Sequence, residues 1–239
     1  EYGNQVVYNF NPSYSFENLP LKVLASYSTA FITPSLYQLY GPYGNLDLTP
    51  EENATAEFGF ESQLLDKKLT INAVGFYREE ENTIGFYYNS ATFESYYINT
   101  NGTYNAKGIE ASVRFRLSEK FNIGGNYTFT QVEEQLNRLI PKHKGNIDLN
   151  YQFKKGTFGL TYQYVNQRSD AYYDSNIWAT AAVELPAYQL LNSNISYDLL
   201  PNRLRIFGAV NNILNDDFQE LIGYNSRGRN YKLGLNFMF

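Results

Sequence analysis

The chain has 239 residues, of which 17% are aromatic and only 18% are charged. No run approaches the roughly 18 apolar residues of a membrane-spanning helix, and a mean hydropathy of -0.44 excludes a helical membrane protein. A net charge of -5 without a cluster of Lys or Arg argues against nucleic acid, whose phosphates demand a basic surface. The absence of Cys excludes disulfides, thiolate metal sites and a cysteine nucleophile. If the chain spans a bilayer, it does so with strands.

Apolar and polar residues alternate along most of the chain, which sorts the two kinds of side chain onto opposite faces of strands. Within 145–153, for example, Ile147 and Leu149 alternate with Asp148 and Asn150. The pattern predicts an all-β fold of about eleven strands at 4–16, 20–31, 52–65, 69–87, 93–117, 120–133, 143–153, 157–168, 187–199, 203–213 and 227–239.

Short turns and long links alternate between these strands. The short turns are predicted at 17–19, 66–68, 118–119, 154–156 and 200–202, and the long links at 32–51, 134–142, 169–186 and 214–226. The link at 88–92 is short but lies at the same end as the long ones. In an antiparallel up-and-down meander every second connection lies at the same end of the sheet. Outer-membrane barrels show this asymmetry, with short periplasmic turns and longer external loops.

Alternation alone does not say which face is wet, because a soluble ligand-binding barrel also alternates, with its apolar side turned inward. Three features favour lipid on the outside. The polar face carries charged and small residues, as a watery lumen does, and aromatic residues concentrate near strand ends, as in an interfacial girdle. The last strand also ends on Phe239. The sequence therefore predicts the wall of a transmembrane β-barrel.

Eleven is an odd number of strands, whereas bacterial single-chain barrels normally have an even number with both termini periplasmic. Counting back from the last strand, the chain begins at the outer rim. We therefore expect the C-terminal part of a longer barrel whose opening strands are missing. We also expect 4–16 and 227–239 not to pair with each other, which leaves an open wall.

Four regions resemble the TonB-dependent outer-membrane receptors, in the order that the family has them. They lie at 25–51, 105–111, 210–215 and 228–231. The second is similar to the family's x-x-x-G-x-E strand, the third to its x-N-L-F-D strand end, and the fourth to the opening of its final strand. Within the first, Gln-Leu-Tyr-Gly at 38–41 and Tyr-Gly-Asn at 43–45 look most like vitamin B12 receptors.

The resemblance implies a barrel of 22 strands around a plugged lumen. Residues 1–239 would be its second half, with the plug domain and the N-terminal strands absent. It also implies TonB-dependent active transport of a scarce nutrient, vitamin B12 or a siderophore-like metal chelate, across the bacterial outer membrane. External loops would bind this small-molecule ligand, the TonB energy complex would act through the plug, and lipid would surround the wall. It implies no cofactor and no covalent chemistry.

Other functions remain open. A passive porin would lack a plug, and a further alternative is a substrate of the barrel assembly machinery during outer-membrane protein folding. An enzyme is disfavoured because His143 is the single histidine and no nucleophile constellation is recognisable. One histidine cannot form a two-His metal site, so His143 is predicted to be an exposed rim residue.

Aromatic residues of the external rim are the candidate ligand-binding residues. Tyr and Trp combine broad apolar contact with a polar atom, which suits a large, partly polar ligand. The alternative for those near strand ends is an interfacial belt. The candidates are Tyr37, Tyr40, Tyr43, Tyr87, Tyr88, Tyr172, Tyr173, Trp178 and Tyr224.

The last strand carries Lys232, Gly234, Phe237 and Phe239, which is similar to the C-terminal signal recognised by the barrel assembly machinery. Alternatively, these residues form an ordinary final strand whose alternate side chains face lipid and whose glycine relieves crowding. The two interpretations are compatible, because an edge strand with unpaired backbone groups can be captured by strand addition.

Acidic runs are a weaker signal for a site. They comprise Glu79 to Glu81, the pair Asp170 and Asp174, and the set Asp216, Asp217 and Glu220. None follows the regular spacing of a calcium loop, so no metal is predicted and these residues are expected to be solvated rim charges.

Overall fold

A computed structural model describes residues 4–89, 91–133 and 138–238. In these ranges the chain forms strands and one short helix, α1, at Leu36–Tyr40. The strands are β1 (Asn9–Phe10), β2 (Ser13–Ser15), β3 (Leu21–Ile32), β4 (Glu51–Leu64), β5 (Leu69–Glu81), β6 (Ile84–Tyr88), β7 (Ser95–Asn99), β8 (Thr103–Arg116), β9 (Phe121–Val132), β10 (His143–Phe153), β11 (Gly156–Val165), β12 (Arg168–Asp174), β13 (Ala179–Leu185), β14 (Tyr188–Leu200), β15 (Leu204–Asn211) and β16 (Asn230–Phe237).

Twelve of the described strands form one antiparallel sheet. Its order is β1-β3-β4-β5-β8-β9-β10-β11-β14-β15-β16, and β2 also pairs with β3. Sheet neighbours follow one another along the chain except where the hairpins β6–β7 and β12–β13 are inserted. The predicted all-β meander is therefore confirmed, whereas the counts of eleven strands here and 22 in a whole barrel stay predictions.

The two inserted hairpins were not predicted. The predicted strand 69–87 divides into β5 and β6, and 93–117 divides into β7 and β8. The division falls at Asn82, whose φ of 56° belongs to the left-handed region and turns the chain out of the sheet. Residues 78–83 form a continuous polar run around this position, and the run itself does not show where the chain leaves the sheet.

The first and last predicted strands are shorter than expected. Pro12, which has no N–H to donate, separates β1 from β2 in the predicted strand 4–16. At the other end β16 begins at Asn230 rather than at 227, because the N–H of Arg229 donates to Asn215 Oδ1 at 2.9 Å instead of to a strand.

Cross-strand partners share a face of an antiparallel sheet, so the register tests the predicted faces directly. One register row crosses five strands through Leu69, Phe115, Ile123, Leu149 and Leu160. The row beside it runs through Thr70, Arg114, Gly124, Asp148 and Thr161. The sheet therefore has one apolar face, which contains the first row, and one polar face, which contains the second.

The connections divide between two rims. One rim, the turn rim, carries the short connections at 65–68, 117–120, 154–155 and 201–203. The opposite rim, the loop rim, carries loop 33–50 with α1, the two inserted hairpins, and the connections at 133–142 and 212–229. The predicted asymmetry of the two ends is confirmed.

The sheet is open at both edges. Within the described ranges, β16 pairs only with β15, β1 and β2 pair only with β3, and no pairing joins the two edges into a closed barrel. The most buried apolar side chains, Leu48, Val165, Leu185 and Tyr188, all lie at the loop rim. No helix in the described part is long and apolar enough to cross a membrane. The packed core therefore sits beneath the loops.

Gly108 has a clear steric role in the segment 105–111, which is similar to the x-x-x-G-x-E strand of the TonB-dependent receptors. A Cβ on Gly108 would lie 2.1 Å from the carbonyl oxygen of Phe129 and 2.6 Å from Cζ of Phe76, its cross-strand partner. Any larger residue would collide with backbone as well as with the ring. Gly108 thus lets an aromatic ring lie flat across the polar face, a pairing known to support strand glycines.

Candidate functional site

Loop 33–50 begins with a capped helix that projects tyrosines from the rim. The N–H of Gln38 donates to Ser35 Oγ at 3.2 Å, and the N–H of Ser35 donates to Gln38 Oε1 at 2.8 Å. This reciprocal capping box satisfies two amides that a helix start leaves unpaired, so the helix starts at a defined residue. Of the predicted ligand-binding residues, Tyr37 and Tyr40 lie on α1.

Two asparagines join loop 33–50 to the β6–β7 hairpin. Asn45 Nδ2 donates to the carbonyl of Tyr97 at 2.9 Å. Asn99 Oδ1 accepts from the N–H of Thr49 at 2.8 Å, while its Nδ2 donates to the carbonyls of Thr49 at 2.9 Å and of Asn82 at 2.6 Å. These bonds satisfy backbone groups of both segments, so the loop and the hairpin form one unit.

An aromatic cluster of Tyr37, Tyr43, Phe86 and Tyr97 lies on this unit. The ring centroids are 5.5 Å apart for Tyr43 and Phe86, 5.3 Å for Phe86 and Tyr97, and 6.3 Å for Tyr37 and Tyr97, all edge to face. Edge-to-face pairs at this spacing are favourable beyond the area they bury. The cluster is nevertheless open to solvent, since Tyr37 is 58% and Phe86 52% exposed.

The remaining candidates of this region do not join the aromatic cluster through a ring contact. Tyr40 points away at 71% exposure, and Tyr88 is exposed near the hairpin tip. Tyr87 contacts Tyr96, its cross-strand partner, at 4.9 Å, on the hairpin face opposite Phe86. Sequence reasoning missed Phe86 and Tyr97, because only the hairpin register shows that they share a face.

The β12–β13 hairpin is held by a buried carboxylate. The side chain of Asp170 has no exposed surface and accepts from Arg138 Nε at 2.9 Å, from the N–H of Ala171 at 2.8 Å and from the N–H of Ile222 at 2.9 Å. These bonds, first that of Ile222, lower the pKa of Asp170 although burial opposes the shift. Asp170 was expected to be a solvated rim charge; that prediction is wrong.

A buried arginine adds a second link between the same segments. Arg168 is 6% exposed, and its Nη2 donates to the carbonyl of Gln219 at 2.5 Å. Its guanidinium lies 5.2 Å from the ring centre of Tyr188, which stacks on Phe218 at 4.4 Å. Among the described residues Nη1 has no hydrogen-bond partner, and the aromatic face offers it a cation–π contact instead.

Asn212 gives a structural reason for the segment 210–215, which is similar to the x-N-L-F-D strand end of the TonB-dependent receptors. It has a φ of 51° and is 3% exposed. Its N–H donates to Asn192 Oδ1 at 2.8 Å, and its side chain donates to the carbonyl and accepts from the N–H of Asp216. Asn tolerates the left-handed region better than most residues. The segment therefore anchors the start of the 212–229 connection and has a structural role.

The β12–β13 hairpin and the 212–229 connection, which Asp170 and Arg168 join, form a second unit of the loop rim. The other predicted rim residues lie on this second unit. Tyr172 and Tyr173 are on β12, Trp178 is 77% exposed in the hairpin turn, and Tyr224 is 70% exposed in the 212–229 connection. The structure thus distributes the nine candidates over two separate units, and it brings two of them, Tyr37 and Tyr43, into one ring cluster on the first unit.

His143 lies at the loop-rim end of the apolar face. Its Nδ1 is 2.7 Å from the hydroxyl of Tyr127, and its ring lies 5.4 Å from that of Phe129. It is partly buried by these rings rather than freely exposed as predicted. Within the described ranges, no group of three or more His, Cys, Asp or Glu is placed to hold a metal ion.

The residues of the predicted assembly signal lie on the edge strand β16. Lys232 Nζ is 5.8 Å from the ring centre of Phe207, and a Cβ on Gly234 would lie 2.2 Å from Cζ of the same ring. Phe237 pairs with Leu204, and Phe239 lies outside the described residues. Gly234 therefore has a packing role whether or not the strand is also a signal.

An antiparallel meander with one apolar face, one polar face and all its long connections at one rim has the features of an outer-membrane barrel wall. The chain matches the family model described as TonB dependent receptor-like, beta-barrel, over residues 3–213. It is 30% identical over 244 residues to the vitamin B12 transporter BtuB of Vibrio cholerae serotype O1, covering 100% of this chain and 38% of that protein. The chain thus spans well under half of this relative.

Solved structures agree on the fold. The pyoverdine receptor FpvA of Pseudomonas aeruginosa PAO1 superposes with a TM-score of 0.78 at 19% identity, over 98% of this chain and 36% of FpvA. The ferric-catecholate import receptor Fiu of K12 E. coli gives 0.74 at 20% identity, over 97% and 35%. The chain belongs to the TonB-dependent receptor β-barrel family and is a protein of the bacterial outer membrane.

Proposed function

We propose that the chain forms part of the wall and the ligand-binding rim of a receptor that imports a scarce nutrient by TonB-dependent active transport. The observation that carries this proposal is the aromatic cluster, which Asn45 and Asn99 hold in place through contacts of the protein alone. A surface that is already ordered loses less conformational entropy when a ligand binds. The polar face would line the lumen and meet a plug, through which the TonB complex would act.

Vitamin B12 is the ligand that we propose first. The whole-chain relative at 30% identity is a vitamin B12 transporter. A corrinoid presents a broad macrocycle edged with amides, and exposed tyrosines offer both apolar area and hydroxyls to such a molecule. A siderophore-like metal chelate is the second candidate, supported by the shared fold of the pyoverdine receptor FpvA.

Ligand binding to the full-length protein tests this function. Outer membranes containing it should bind cyanocobalamin saturably and accumulate it only when TonB is present. Saturable binding of ferric pyoverdine instead would favour the second candidate. Equal flux of small solutes with and without TonB would contradict active transport and favour a passive porin.

The two faces make a direct prediction about the wall. Leu149 lies on the apolar face and Asn150 on the polar face of β10. Single cysteines at these positions carry nitroxide labels with little ambiguity, because the chain has no native Cys. We expect the label at Leu149 to be relaxed by oxygen dissolved in lipid and the label at Asn150 by a water-soluble nickel chelate. Equal access of the nickel chelate to the labels at Leu149 and Asn150 would exclude contact between the apolar face and lipid.

The open edges need partners, because each unpaired backbone group in hydrocarbon costs several kcal/mol. We propose that strands outside this chain complete the barrel, and that the barrel assembly machinery engages β16 during folding. The exposed row Tyr231, Leu233 and Leu235 is 72%, 86% and 71% exposed and would face lipid in the finished wall.

Assembly at the last strand supplies another prediction. Removing Phe239 should lower the amount of heat-modifiable folded barrel in the membrane if the C-terminus is a recognition signal. Gly234→Leu should also lower it, because the new side chain collides with the ring of Phe207. The matched control is Gly208→Leu on β15, where a Cβ meets no atom closer than 3.7 Å.

The double variant Gly234→Leu with Phe207→Ala separates crowding from recognition. Recovery of folded barrel in the double variant would show that Gly234 acts through packing. A normal folded level after removal of Phe239, at low expression, would reject the signal.

A further inference from the structure

A shallow, widely open groove of about 800 Å³ lies on the apolar face over β4, β5, β8 and β9. Its floor is β5, where Ala73 and Gly75 are small. Large side chains border it on both sides, with Phe58 on β4 and Ile109 on β8. Its loop-rim end is marked by the cross-strand pair of Tyr77 and Lys107 and by Phe129 on β9.

Gly75 has no local reason to be glycine. Glycine inside a strand is unfavourable, and it often marks a bulge or the close approach of a ligand or another backbone. Gly75 has no positive φ, and a Cβ there would meet nothing closer than the carbonyl oxygens of Gly108 and Phe58, both at 3.9 Å. A side chain would fit the backbone and would fill the groove. This differs from Gly108, where a Cβ collides with backbone.

Lys107 places a positive charge at the end of the groove. Within the described ranges its ammonium has no carboxylate within 4.0 Å. Two carboxylates of the same rim accept hydrogen bonds from neutral groups: Glu79 from the hydroxyl of Tyr77 at 3.0 Å, and Glu133 from Asn105 Nδ2 at 2.8 Å. A lysine on a face in contact with lipid is favourable near the interface, where it can meet an anionic headgroup.

We propose that this groove binds one acyl chain of a phosphate-bearing membrane lipid and that Lys107 pairs with the lipid phosphate. The proposal rests on the proposed contact of the apolar face with lipid, which supplies acyl chains along the whole length of the groove. The apolar floor matches the acyl chain, and the positive charge of Lys107 at the loop-rim end matches the negative charge of the phosphate.

Photolabelling of the full-length protein in phosphatidylcholine nanodiscs tests the site. The probes are phosphatidylglycerol and phosphatidylcholine that carry the same diazirine on one acyl chain, at equal low fractions, with labelled peptides mapped by mass spectrometry. We expect phosphatidylglycerol to label β4, β5 and β8 about fivefold more than phosphatidylcholine does, since one lysine near an anionic headgroup contributes about 1 kcal/mol.

Two substitutions and their controls separate the headgroup from the chain. Lys107→Gln should abolish the preference for phosphatidylglycerol, whereas Lys144→Gln, which removes a charge from the polar face, should not. Gly75→Leu should remove labelling of the groove by both lipids, whereas Gly208→Leu should leave it unchanged. Heat-modifiability on gels verifies that each variant is folded.

The outcomes distinguish this proposal from the function on which it rests. Labelling of the whole apolar face, including β10 at Ile147, with no preference between the two lipids would overturn the site and leave the lipid-facing wall intact. No labelling of the apolar face at all would overturn both. Absence of lipid labelling in the groove together with cross-links between two copies across β4, β5 and β8 would show that a second copy, not a lipid, fills the groove.

Discussion

Replacing Asp170 with alanine is expected to release the β12–β13 hairpin from its neighbouring segments. The change leaves Arg138 and the partly buried N–H groups of Ala171 and Ile222 without their shared acceptor. Arg138 is 62% exposed and can be rehydrated, but the two N–H donors lose a charged acceptor, which costs about 3 kcal/mol in all. Hydrogen exchange at the amides of Ala171 and Ile222 should therefore become roughly a hundredfold faster, since each 1.4 kcal/mol is about tenfold.

Asp174→Ala is the matched control for this prediction. It removes a carboxylate from the same hairpin, and that carboxylate accepts local hydrogen bonds from the N–H and the Nδ2 of Asn176. Exchange at Ile222 should stay slow in this variant. Equal acceleration in the two variants, or none in Asp170→Ala, would mean that the buried carboxylate does not hold the segments together.

The carboxylate of Asp170 also makes the stability of these loop-rim contacts depend on pH in acid. The pKa of Asp170 is lowered from its ordinary value of 3.8, mainly by the N–H of Ile222. A group whose pKa is lowered by folding stabilises the folded form above its unfolded pKa, and that contribution disappears as the pH falls through the lower folded value. Protection of the Ile222 amide should therefore be constant from about pH 5 to 8 and fall only in stronger acid. Asp170→Ala should show no such acid step.

Ligand affinity should depend more on Phe86 than on any single tyrosine proposed from the sequence. Phe86 contacts both Tyr43 and Tyr97, so Phe86→Ala removes two of the three ring contacts of the aromatic cluster. Truncating a central aromatic residue of a binding surface costs about 2 kcal/mol or more. We expect the dissociation constant for cyanocobalamin to rise by about thirtyfold, measured by equilibrium binding to outer membranes.

Phe93→Ala is the control for Phe86→Ala. Phe93 is also an exposed phenylalanine of the same hairpin, 78% exposed at its tip, and none of the ring pairs of the aromatic cluster in the described ranges includes it. The dissociation constant should change less than twofold. A large effect of Phe93→Ala with normal affinity in Phe86→Ala would place the ligand at the hairpin tip and exclude the aromatic cluster.

Substitution of Asn99 tests whether the aromatic cluster binds ligand tightly because its loop and hairpin are held in place. Asn99→Ala removes the bonds to Thr49 and Asn82 but leaves every ring of the cluster in the chain. If preorganisation matters, affinity should fall although no ring is lost, and the loop amides should exchange faster. Unchanged affinity together with faster hydrogen exchange of the loop amides would show that the rings bind ligand without the hydrogen bonds of Asn99.

The wall was predictable from the sequence because its signal is local. Side chains of a strand alternate between faces with a period of two, so Leu149 and Asn150 reveal opposite faces without knowledge of their neighbours. Connection lengths are read in the same way, and they identified the turn rim and the loop rim. The segments similar to the TonB-dependent receptors indicated the family. The structure gives a physical role to Gly108 in one of these segments and to Asn212 in another.

The loop rim was decided by contacts between residues far apart in the chain. Asp170 looked like a solvated charge because its partners Arg138 and Ile222 lie 32 and 52 residues away. Phe86 and Tyr97 looked like residues of long wall strands, because the predicted strands 69–87 and 93–117 included the hairpin. The chain turns out of the sheet at Asn82, and the local sequence does not mark this turn. A two-residue period reports which way a side chain points, but only the tertiary structure determines which strand or loop lies beside it.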